Sequence, residues 1–182
     1  MKIEQTSLPD VLLVKADVHG DERGYFLESW NARDFAEAGI AAEFVQDNVS
    51  VSSRHTLRGL HYQVVKPQGK LVRVVQGDVF DIAVDMRRSS ENFGKWVGIT
   101  LSAGTGEALW IPPGFAHGFV VLSETASFEY KCTDYYAPEY ERVIRWDDPD
   151  LGIDWSLPVG AEPLLSPKDA EAGPFCDAET YL

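Results

Sequence analysis

The chain has 182 residues, with 16 Lys and Arg against 29 Asp and Glu, so its formal net charge is −13. This length suits one domain that buries a core without the support of a metal or disulfides. A chain this acidic lacks the broad basic surface that nucleic acids and anionic membranes require, so we expect neither as a partner. The N-terminus opens with mixed charge and has no signal-peptide core, which predicts a cytoplasmic protein.

In chain order, the first predicted element is a short helix over Ala32–Ala38. Asn31 precedes it as a candidate N-cap, because its side-chain oxygen can accept hydrogen bonds from the first free backbone N–H groups. Gly39 follows it and can adopt the left-handed backbone that closes many helices. We therefore expect one helical turn or two here, ahead of the main block of strands.

Short apolar runs separated by Gly, Pro, Asn or Ser dominate the middle of the chain and predict β-strands. Their spacing is typical of an antiparallel sandwich or barrel. In one run, Phe80 and Ile82 alternate with Asp81 and Ala83, which predicts a strand with a single buried face. The predicted strands lie at 72–75, 80–86, 96–99, 108–111, 118–122 and 127–130.

The tail after Trp146 is rich in Pro and acidic residues, and its packing is the hardest to predict. A second short helix is predicted over Pro167–Ala172, with Ser166 before it and Gly173 after it. We expect this tail to be an appendage rather than a second domain. The sequence thus predicts a single domain over residues 1–182 with a C-terminal helical appendage, and the N-terminal strand segment comes only from the resemblance described below.

One segment opposes the acidic character of the chain. From Arg54 through Gln76, both included, there are five Lys or Arg residues and no carboxylate. A cationic island of this size suits a small anion better than a polyanion. His61 lies within it, so a base and its electrostatic partners could share one site.

A second motif lies downstream. The stretch from Gly106 to His117, which contains Pro112-Pro113-Gly114, matches the second sequence motif of the cupin superfamily. In metal-binding cupins the first motif supplies two histidines and a carboxylate, but here that region reads His61-Tyr62-Gln63 and then Lys70. A lysine repels a divalent cation where a carboxylate would hold it, so we expect no metal.

The full set of motifs resembles the RmlC-like family of deoxysugar-nucleotide epimerases within the cupin superfamily. The resemblance covers most of the chain and keeps the family's order and approximate spacing. The motifs that carry it are Asp21–Glu28, Gln46–Ser50, Leu57–Gln63, Gly69–Val74, Ile111–Phe119, Tyr130–Thr133 and Ser166–Asp169.

This resemblance implies an all-β cupin-type jelly roll, or double-stranded β-helix, with short flanking helices. It also implies epimerisation, without a cofactor, of dTDP-4-dehydro-6-deoxy-D-glucose at C3 and C5 to dTDP-4-dehydro-L-rhamnose. The partner would be this dTDP-linked 4-keto-6-deoxy sugar. A homodimer is implied as well, in which an N-terminal strand segment crosses to the partner and helps to build the nucleotide site.

The resemblance implies four catalytic residues, each with a structural alternative. His61 would be the general base. The structural alternative, which is the more common one for a histidine, is a buried ring that hydrogen-bonds to the backbone. Asp169 would orient the His61 ring, and it could also serve as a first-turn carboxylate of the C-terminal helix. Lys70 would stabilise the enolate oxygen rather than merely face solvent. Tyr130 would be the acid on the opposite face of the sugar, or simply a core aromatic.

Further positions match ligand contacts of the family. Arg23, Arg58 and Lys168 would bind the diphosphate, as exposed arginines and lysines can. His117 would contact the sugar or the oxyanion, with a structural hydrogen bond as its alternative. The remaining candidates would recognise the base or close the pocket: Phe26, Glu28, Gln46, Asp47, Asn48, Tyr136 and Glu141.

Arg58 and His61 do not share the parity of one strand. If both side chains point into the site, we expect Gly59 to mark a bulge or kink between them.

Two other functions remain open on the sequence. A related enzyme that inverts only one carbon, usually C3, could use the same residues, because the outcome depends on how the sugar ring is placed. A noncatalytic cupin that binds a sugar nucleotide is the second alternative, and a metal-dependent oxygenase is a more distant one.

Overall fold

The computed structural model describes residues 1–182 as two antiparallel sheets and a separate hairpin. This arrangement confirms the all-β prediction. The strands, in chain order, are β1 (Lys2–Gln5), β2 (Leu12–Lys15), β3 (Val18–Asp21), β4 (Gly24–Leu27), β5 (Gln46–Ser53), β6 (Leu57–Gln63), β7 (Lys70–Gln76), β8 (Asp78–Asp85), β9 (Trp96–Ser102), β10 (Glu107–Ile111), β11 (Phe115–Val121), β12 (Thr125–Cys132) and β13 (Glu141–Val143).

One sheet has six strands in the order β1-β2-β10-β7-β12-β5, and the other has five in the order β13-β6-β11-β8-β9. Strands β3 and β4 form a hairpin outside both sheets. Strands that are adjacent in the chain often lie in different sheets, as β6 and β7 do. The cationic segment therefore contributes side chains to both sheets.

The main core fills the space between the two sheets. Val72 and Leu109 from the six-stranded sheet pack with Phe119 and Ala83 from the five-stranded sheet, and Phe128 is buried among them. Fully burying a side chain of this size stabilises the fold by about 1.5–3 kcal/mol. The site described below lies next to this apolar interior.

Strand β8 does not have the single buried face predicted from its alternation. Asp81 and Ala83 face the interior between the sheets, while Ile82 and Val84 face a second core on the outside of the same sheet. All four side chains are buried. The prediction was wrong because period-two alternation cannot show that another part of the chain covers the outer face.

The C-terminal tail provides that cover. Leu151 and Trp155 are buried against the outer face of the five-stranded sheet. The Tyr62 hydroxyl donates a hydrogen bond to the Glu179 carbonyl, and the Tyr181 hydroxyl donates one to the Gln63 carbonyl. The tail is thus a packed outer layer behind strand β6.

Both predicted helices are present. Helix α1 covers Ala32–Glu37, and the Asn31 side chain caps it by accepting a hydrogen bond from the Arg33 N–H at 3.0 Å. Gly39 follows with a φ of 82°, as predicted for the closing residue. Helix α2 covers Pro167–Ala170, two residues shorter than expected, and two 3₁₀ turns cover Pro138–Tyr140 and Phe175–Asp177.

Gly59 does mark the predicted irregularity in β6. His61 pairs with His117 and Arg58 pairs with Phe119, so two residues of β6 lie opposite Gly118 alone. Gly59 has a φ of 140°, and a Cβ there would lie 2.5 Å from the Gly118 Cα. The bulge changes the strand's parity, and both Arg58 and His61 line the same cavity.

None of the helices is both long and apolar enough to cross a lipid bilayer.

Candidate active site

A cavity of about 360 Å³ is lined by side chains of both sheets and of helix α2. Most of these side chains are polar. They include two imidazole rings, a phenol and an ammonium group, from His61, His117, Tyr130 and Lys70. The lining residues are Gln46, Asn48, Ser50, Arg58, His61, Gln68, Lys70, His117, Phe119, Tyr130, Tyr136, Glu141 and Lys168.

His61 and Asp169 form a pair at this cavity. The His61 Nε2 atom lies 2.5 Å from the Asp169 Oδ1 atom, and Asp169 is buried while His61 remains partly open. The Asp169 N–H donates to the Ser166 hydroxyl oxygen, and this hydroxyl donates to Asp169 Oδ2 at 2.7 Å. Asp169 is thus a capped first-turn residue of helix α2 and also the hydrogen-bond partner of His61.

The charge of Asp169 follows from these contacts. Burial alone would raise the pKa of its carboxyl, but the hydrogen bonds from His61 and Ser166 outweigh burial and lower the pKa below its usual value. A carboxylate that stays ionised fixes Nε2 of His61 as a hydrogen-bond donor. The other ring nitrogen, Nδ1, is then the one with a free lone pair.

Two cations of the cavity have no carboxylate partner. Lys70, at the start of β7, forms no ion pair, and burial lowers the pKa of its ammonium group. Arg58 donates only to the Ser52 hydroxyl, at 3.2 Å from both Nε and Nη2. Charges left unpaired at a cavity wall are available to an anionic ligand.

Tyr130 lies on β12, in the sheet opposite to the one that carries His61. It is partly buried, and this burial raises the pKa of its hydroxyl. Tyr130 therefore keeps its proton at neutral pH. Lys70 belongs to the neighbouring strand of the same sheet, so the histidine and the tyrosine enter the cavity from opposing walls with the lysine beside the tyrosine.

His117 pairs with a residue that the sequence did not identify. Its Nε2 atom lies 2.9 Å from the Asp81 Oδ2 atom, and both side chains are buried. Burial lowers the pKa of the His117 ring and raises the pKa of the Asp81 carboxyl. Asp81 had been expected on an exposed face, so its role as the support of His117 was not predictable from alternation.

The end of the cavity near Tyr136 is built from a connected polar network. Glu141 accepts hydrogen bonds from the Tyr136 hydroxyl at 3.0 Å and from the Lys168 ammonium at 2.8 Å. Burial raises the pKa of the Glu141 carboxyl, but these two donors more than offset it and the net pKa is lowered. Gln46 donates from its amide to the Asn48 oxygen at 3.1 Å on the adjacent wall.

Five candidate residues do not line this cavity within the single chain: Asp169, which lies behind His61, and four others that lie farther away. Arg23 and Phe26 lie on the exposed β3–β4 hairpin, where Arg23 pairs with Asp21. Glu28 is exposed and accepts a hydrogen bond from Asn31. Asp47 points to the outer face of the six-stranded sheet and forms an ion pair with Lys131, so it does not line the cavity as a substrate contact would.

Three cavity residues were missed by the sequence analysis. Ser50 shares the parity of Gln46 and Asn48 on β5, so a strand assigned there would have identified it. Its hydroxyl oxygen is buried and has no hydrogen-bond partner. Gln68 and Phe119 had no comparable signal, because a loop amide and a core phenylalanine occur in most folds.

Comparisons with known proteins agree with this geometry. The family model described as dTDP-4-dehydrorhamnose 3,5-epimerase matches residues 5–177. A dTDP-4-dehydrorhamnose 3,5-epimerase from Pseudomonas aeruginosa is 56% identical over 182 residues, which cover 100% of this chain and 99% of that protein.

Solved structures show the same similarity. The crystal structure of dTDP-6-deoxy-D-glucose-3,5-epimerase from Legionella pneumophila, in complex with dTDP-4-keto-L-rhamnose, has a TM-score of 0.94 at 50% identity and covers 98% of this chain and 94% of its own. A 3'-monoepimerase from Streptomyces bikiniensis, in complex with dTDP-quinovose, has a TM-score of 0.87 at 33% identity, with coverage of 94% and 86%.

The similarity extends over the whole fold and is not confined to the motifs. It confirms the predicted cupin jelly roll, since the Legionella structure superposes on nearly all of this chain. The family model and the relative of more than 50% identity both span the strands that carry His61, Lys70 and Tyr130. The chain therefore belongs to the dTDP-4-dehydrorhamnose 3,5-epimerase family.

Proposed function

We propose that this enzyme inverts C3 and C5 of dTDP-4-dehydro-6-deoxy-D-glucose and releases dTDP-4-dehydro-L-rhamnose. One observation carries the proposal: a histidine that is paired with a carboxylate faces a protonated tyrosine across the same cavity, from the opposite sheet, and an unpaired lysine lies beside the tyrosine. Inversion needs a base on one face of the sugar and an acid on the other.

The reaction begins with His61. Its Nδ1 atom takes the proton from the sugar carbon next to the C4 ketone, while the Asp169 carboxylate stabilises the imidazolium that results. The electron pair of the broken C–H bond moves to the C4 oxygen and forms an enolate. Because C3 and C5 both adjoin the same ketone, one base can act on each carbon in turn.

Lys70 stabilises the enolate. Its ammonium group has no carboxylate partner in the cavity, so its charge is available to the C4 oxygen as negative charge develops there. Burial makes this interaction stronger than it would be in water. His117, held by Asp81, contacts the same part of the sugar.

Tyr130 completes the inversion. Its hydroxyl delivers a proton to the carbon from the face opposite His61, the enolate electrons reform the C–H bond, and the ketone is restored. The tyrosinate and the imidazolium then return to their starting states by proton exchange with solvent. A raised pKa suits this acid, since the hydroxyl is fully protonated before each turnover.

The nucleotide occupies the other side of the cavity in this proposal. Arg58 and Lys168 bind the diphosphate, and Lys168 exchanges its contact with Glu141 for a phosphate oxygen. Tyr136 stacks on the thymine, and the amides of Gln46 and Asn48 read its edge.

We also propose a homodimer that completes this site. Arg23 and Phe26 lie on the projecting hairpin, where Phe26 is 71% exposed and the adjacent Tyr25 is exposed as well, and contiguous exposed apolar groups mark interaction surfaces. Strand β5 is an edge strand with Val49 and Val51 exposed on its outer face. A second copy would cover these apolar groups and place the hairpin, with Glu28 behind it, at the partner's nucleotide site.

Incubation with the 4-keto sugar nucleotide in deuterated water tests the reaction. NMR of the product should show deuterium and inverted configuration at both C3 and C5. Inversion at C3 alone would identify a monoepimerase, a function that the 33% identity to the Streptomyces enzyme favours less than the 56% identity to the Pseudomonas enzyme. Exchange no faster than in a protein-free control would contradict catalysis.

A further inference from the structure

The buried amide of Gln63 is not used by the proposed chemistry, yet it makes three hydrogen bonds. Gln63 ends strand β6, two residues after His61, and is only 3% exposed. Its Nε2 atom donates to the Lys66 carbonyl at 2.9 Å and to the Tyr135 carbonyl at 3.3 Å. Its Oε1 atom accepts from the Ala137 N–H at 2.9 Å.

Two of these bonds lie on either side of Tyr136. The carbonyl before it and the N–H after it are both bound to the same side chain, and the Tyr136 N–H itself donates to Gln46 Oε1 at 2.9 Å. Tyr136 is 51% exposed, so packing constrains it little. Its hydroxyl donates to Glu141 at 3.0 Å, and its backbone is held on both sides by the bonds to Gln63.

We propose that Gln63 is a positioning residue, whose amide clamps the backbone on both sides of Tyr136 and so fixes the aromatic wall for the nucleotide base. The inference rests on the proposed function, because it takes Tyr136 as the group that stacks on the base. Gln63 does not touch the reacting carbons. It acts on nucleotide affinity through Tyr136 and leaves proton transfer at His61 unchanged.

The third bond extends the clamp to the other loop. By holding the Lys66 carbonyl, the same amide ties the loop between β6 and β7 to the loop between β12 and β13. The backbone of Gln63 is itself held from behind, because its carbonyl accepts from the Tyr181 hydroxyl. One side chain thus joins two loops to a strand that the C-terminal tail supports.

Gln63→Met tests the clamp, since methionine has a similar length and shape but makes none of these bonds. We expect dTDP to bind about tenfold more weakly, as loss of one good stacking contact of about 1.4 kcal/mol would give. Inorganic pyrophosphate, which lacks the base, should bind as it does to the wild type. The KM for the sugar nucleotide should rise while kcat stays within about twofold.

A double-substitution cycle separates this role from a general structural one. If Gln63 acts through Tyr136, Gln63→Met combined with Tyr136→Ala should weaken dTDP binding no more than Tyr136→Ala alone. Additive losses would overturn the clamp. No effect of Tyr136→Ala on dTDP binding would instead contradict the proposed role of Tyr136 and remove the basis of the inference.

A control variant and the hydrogen exchange of one backbone amide complete the test. Gln76→Leu is the matched control, because Gln76 is exposed at the end of β7 and its side chain accepts a hydrogen bond only from the Ser127 hydroxyl, so the change should leave dTDP affinity unchanged. In the wild type, the Ala137 amide should be protected from hydrogen exchange by its bond to Gln63. Rapid exchange of this amide would overturn the clamp even if Gln63→Met failed to fold.

Discussion

At the scale of single residues, the proposed chemistry depends on which nitrogen of His61 is free. The 2.5 Å contact of Nε2 with Asp169 leaves Nδ1 as the nitrogen that could act on the substrate. His61→Asn removes the proposed base but keeps a polar side chain of similar size. We expect kcat to fall by about 10²–10⁴-fold, the usual contribution of a general base, while dTDP binding is retained.

The measurement is hydrogen–deuterium exchange at C3 and C5 by NMR, with dTDP affinity measured in parallel. Exchange at either carbon at the wild-type rate would show that another group is the base there. A loss of dTDP binding equal to the loss of kcat would mean that the variant has lost the site rather than the base.

The Asp169 carboxylate also makes stability depend on pH. Its folded pKa is lowered from a value of 3.8, so its contribution to the free energy of unfolding is present above that pH and is lost as the pH falls through the folded pKa. Asp169→Asn cannot titrate. The stability difference between wild type and variant should shrink as the pH falls below about 5.

Denaturant unfolding of both proteins at a series of pH values checks this expectation. Other carboxylates with lowered pKa values, such as Asp85, titrate in both proteins and cancel in the difference. A difference that stays constant into strong acid would show that Asp169 is not held by charge-dependent hydrogen bonds.

At the scale of elements, the bulge in β6 depends on Gly59. Gly59→Ala would put a Cβ 2.5 Å from the Gly118 Cα in a backbone conformation with a φ of 140°. We expect destabilisation of about 3 kcal/mol, from strain and overpacking together. In a chain of this length that corresponds to a fall in Tm of about 6–12 °C.

Gly173→Ala is the matched control, because a Cβ there meets nothing within 4 Å and the residue does not need a positive φ. Thermal unfolding followed by circular dichroism should show a Tm near that of the wild type for this control. A similar Tm for Gly59→Ala would mean that the strand can relax without the bulge.

The strands show what alternation in a sequence can and cannot predict. The runs around 96–99, 108–111 and 127–130 lie within β9, β10 and β12, because their apolar residues face the main core. Strand β5 is absent from the predicted strands. Its polar residues face the cavity and its valines face outward, which reverses the usual pattern.

Like the strands, the site could be predicted from the sequence only in part. The motifs placed His61, Lys70, Tyr130 and His117 around one cavity. The unequal parity of Arg58 and His61, together with the roles that the resemblance implies for both, indicated the bulge at Gly59. The partner of His117 was not predictable, because Asp81 comes from a strand in which both faces are covered. Such pairs depend on long-range packing rather than on local pattern.

At the scale of the whole molecule, the proposed dimer predicts that two inactive variants restore activity together. Arg23→Ala lacks the hairpin cation and His61→Ala lacks the base, and in a dimer with shared sites each defect lies in a different chain. If equal amounts exchange subunits at random, roughly a quarter of the sites have both residues, so about a quarter of wild-type activity should return.

The mixture is first unfolded and refolded together so that subunits exchange. The control mixes Lys70→Ala with His61→Ala, since both of these residues belong to the same cavity of one chain and no site in any dimer would have both. Activity in the control equal to that of the first mixture would contradict the assignment of Arg23 to the partner's site.

Because the cavity lies between two sheets, the residues proposed for proton transfer and those proposed for nucleotide binding lie on different parts of the fold. His61 and Tyr130 are borne by strands of opposing sheets, whereas Tyr136 lies in a loop and Arg23 in a hairpin. In the proposed mechanism, the faces from which a proton is removed and returned follow from which sheet bears His61 and which bears Tyr130. A change confined to the loop or the hairpin would leave these two side chains on opposite walls of the cavity.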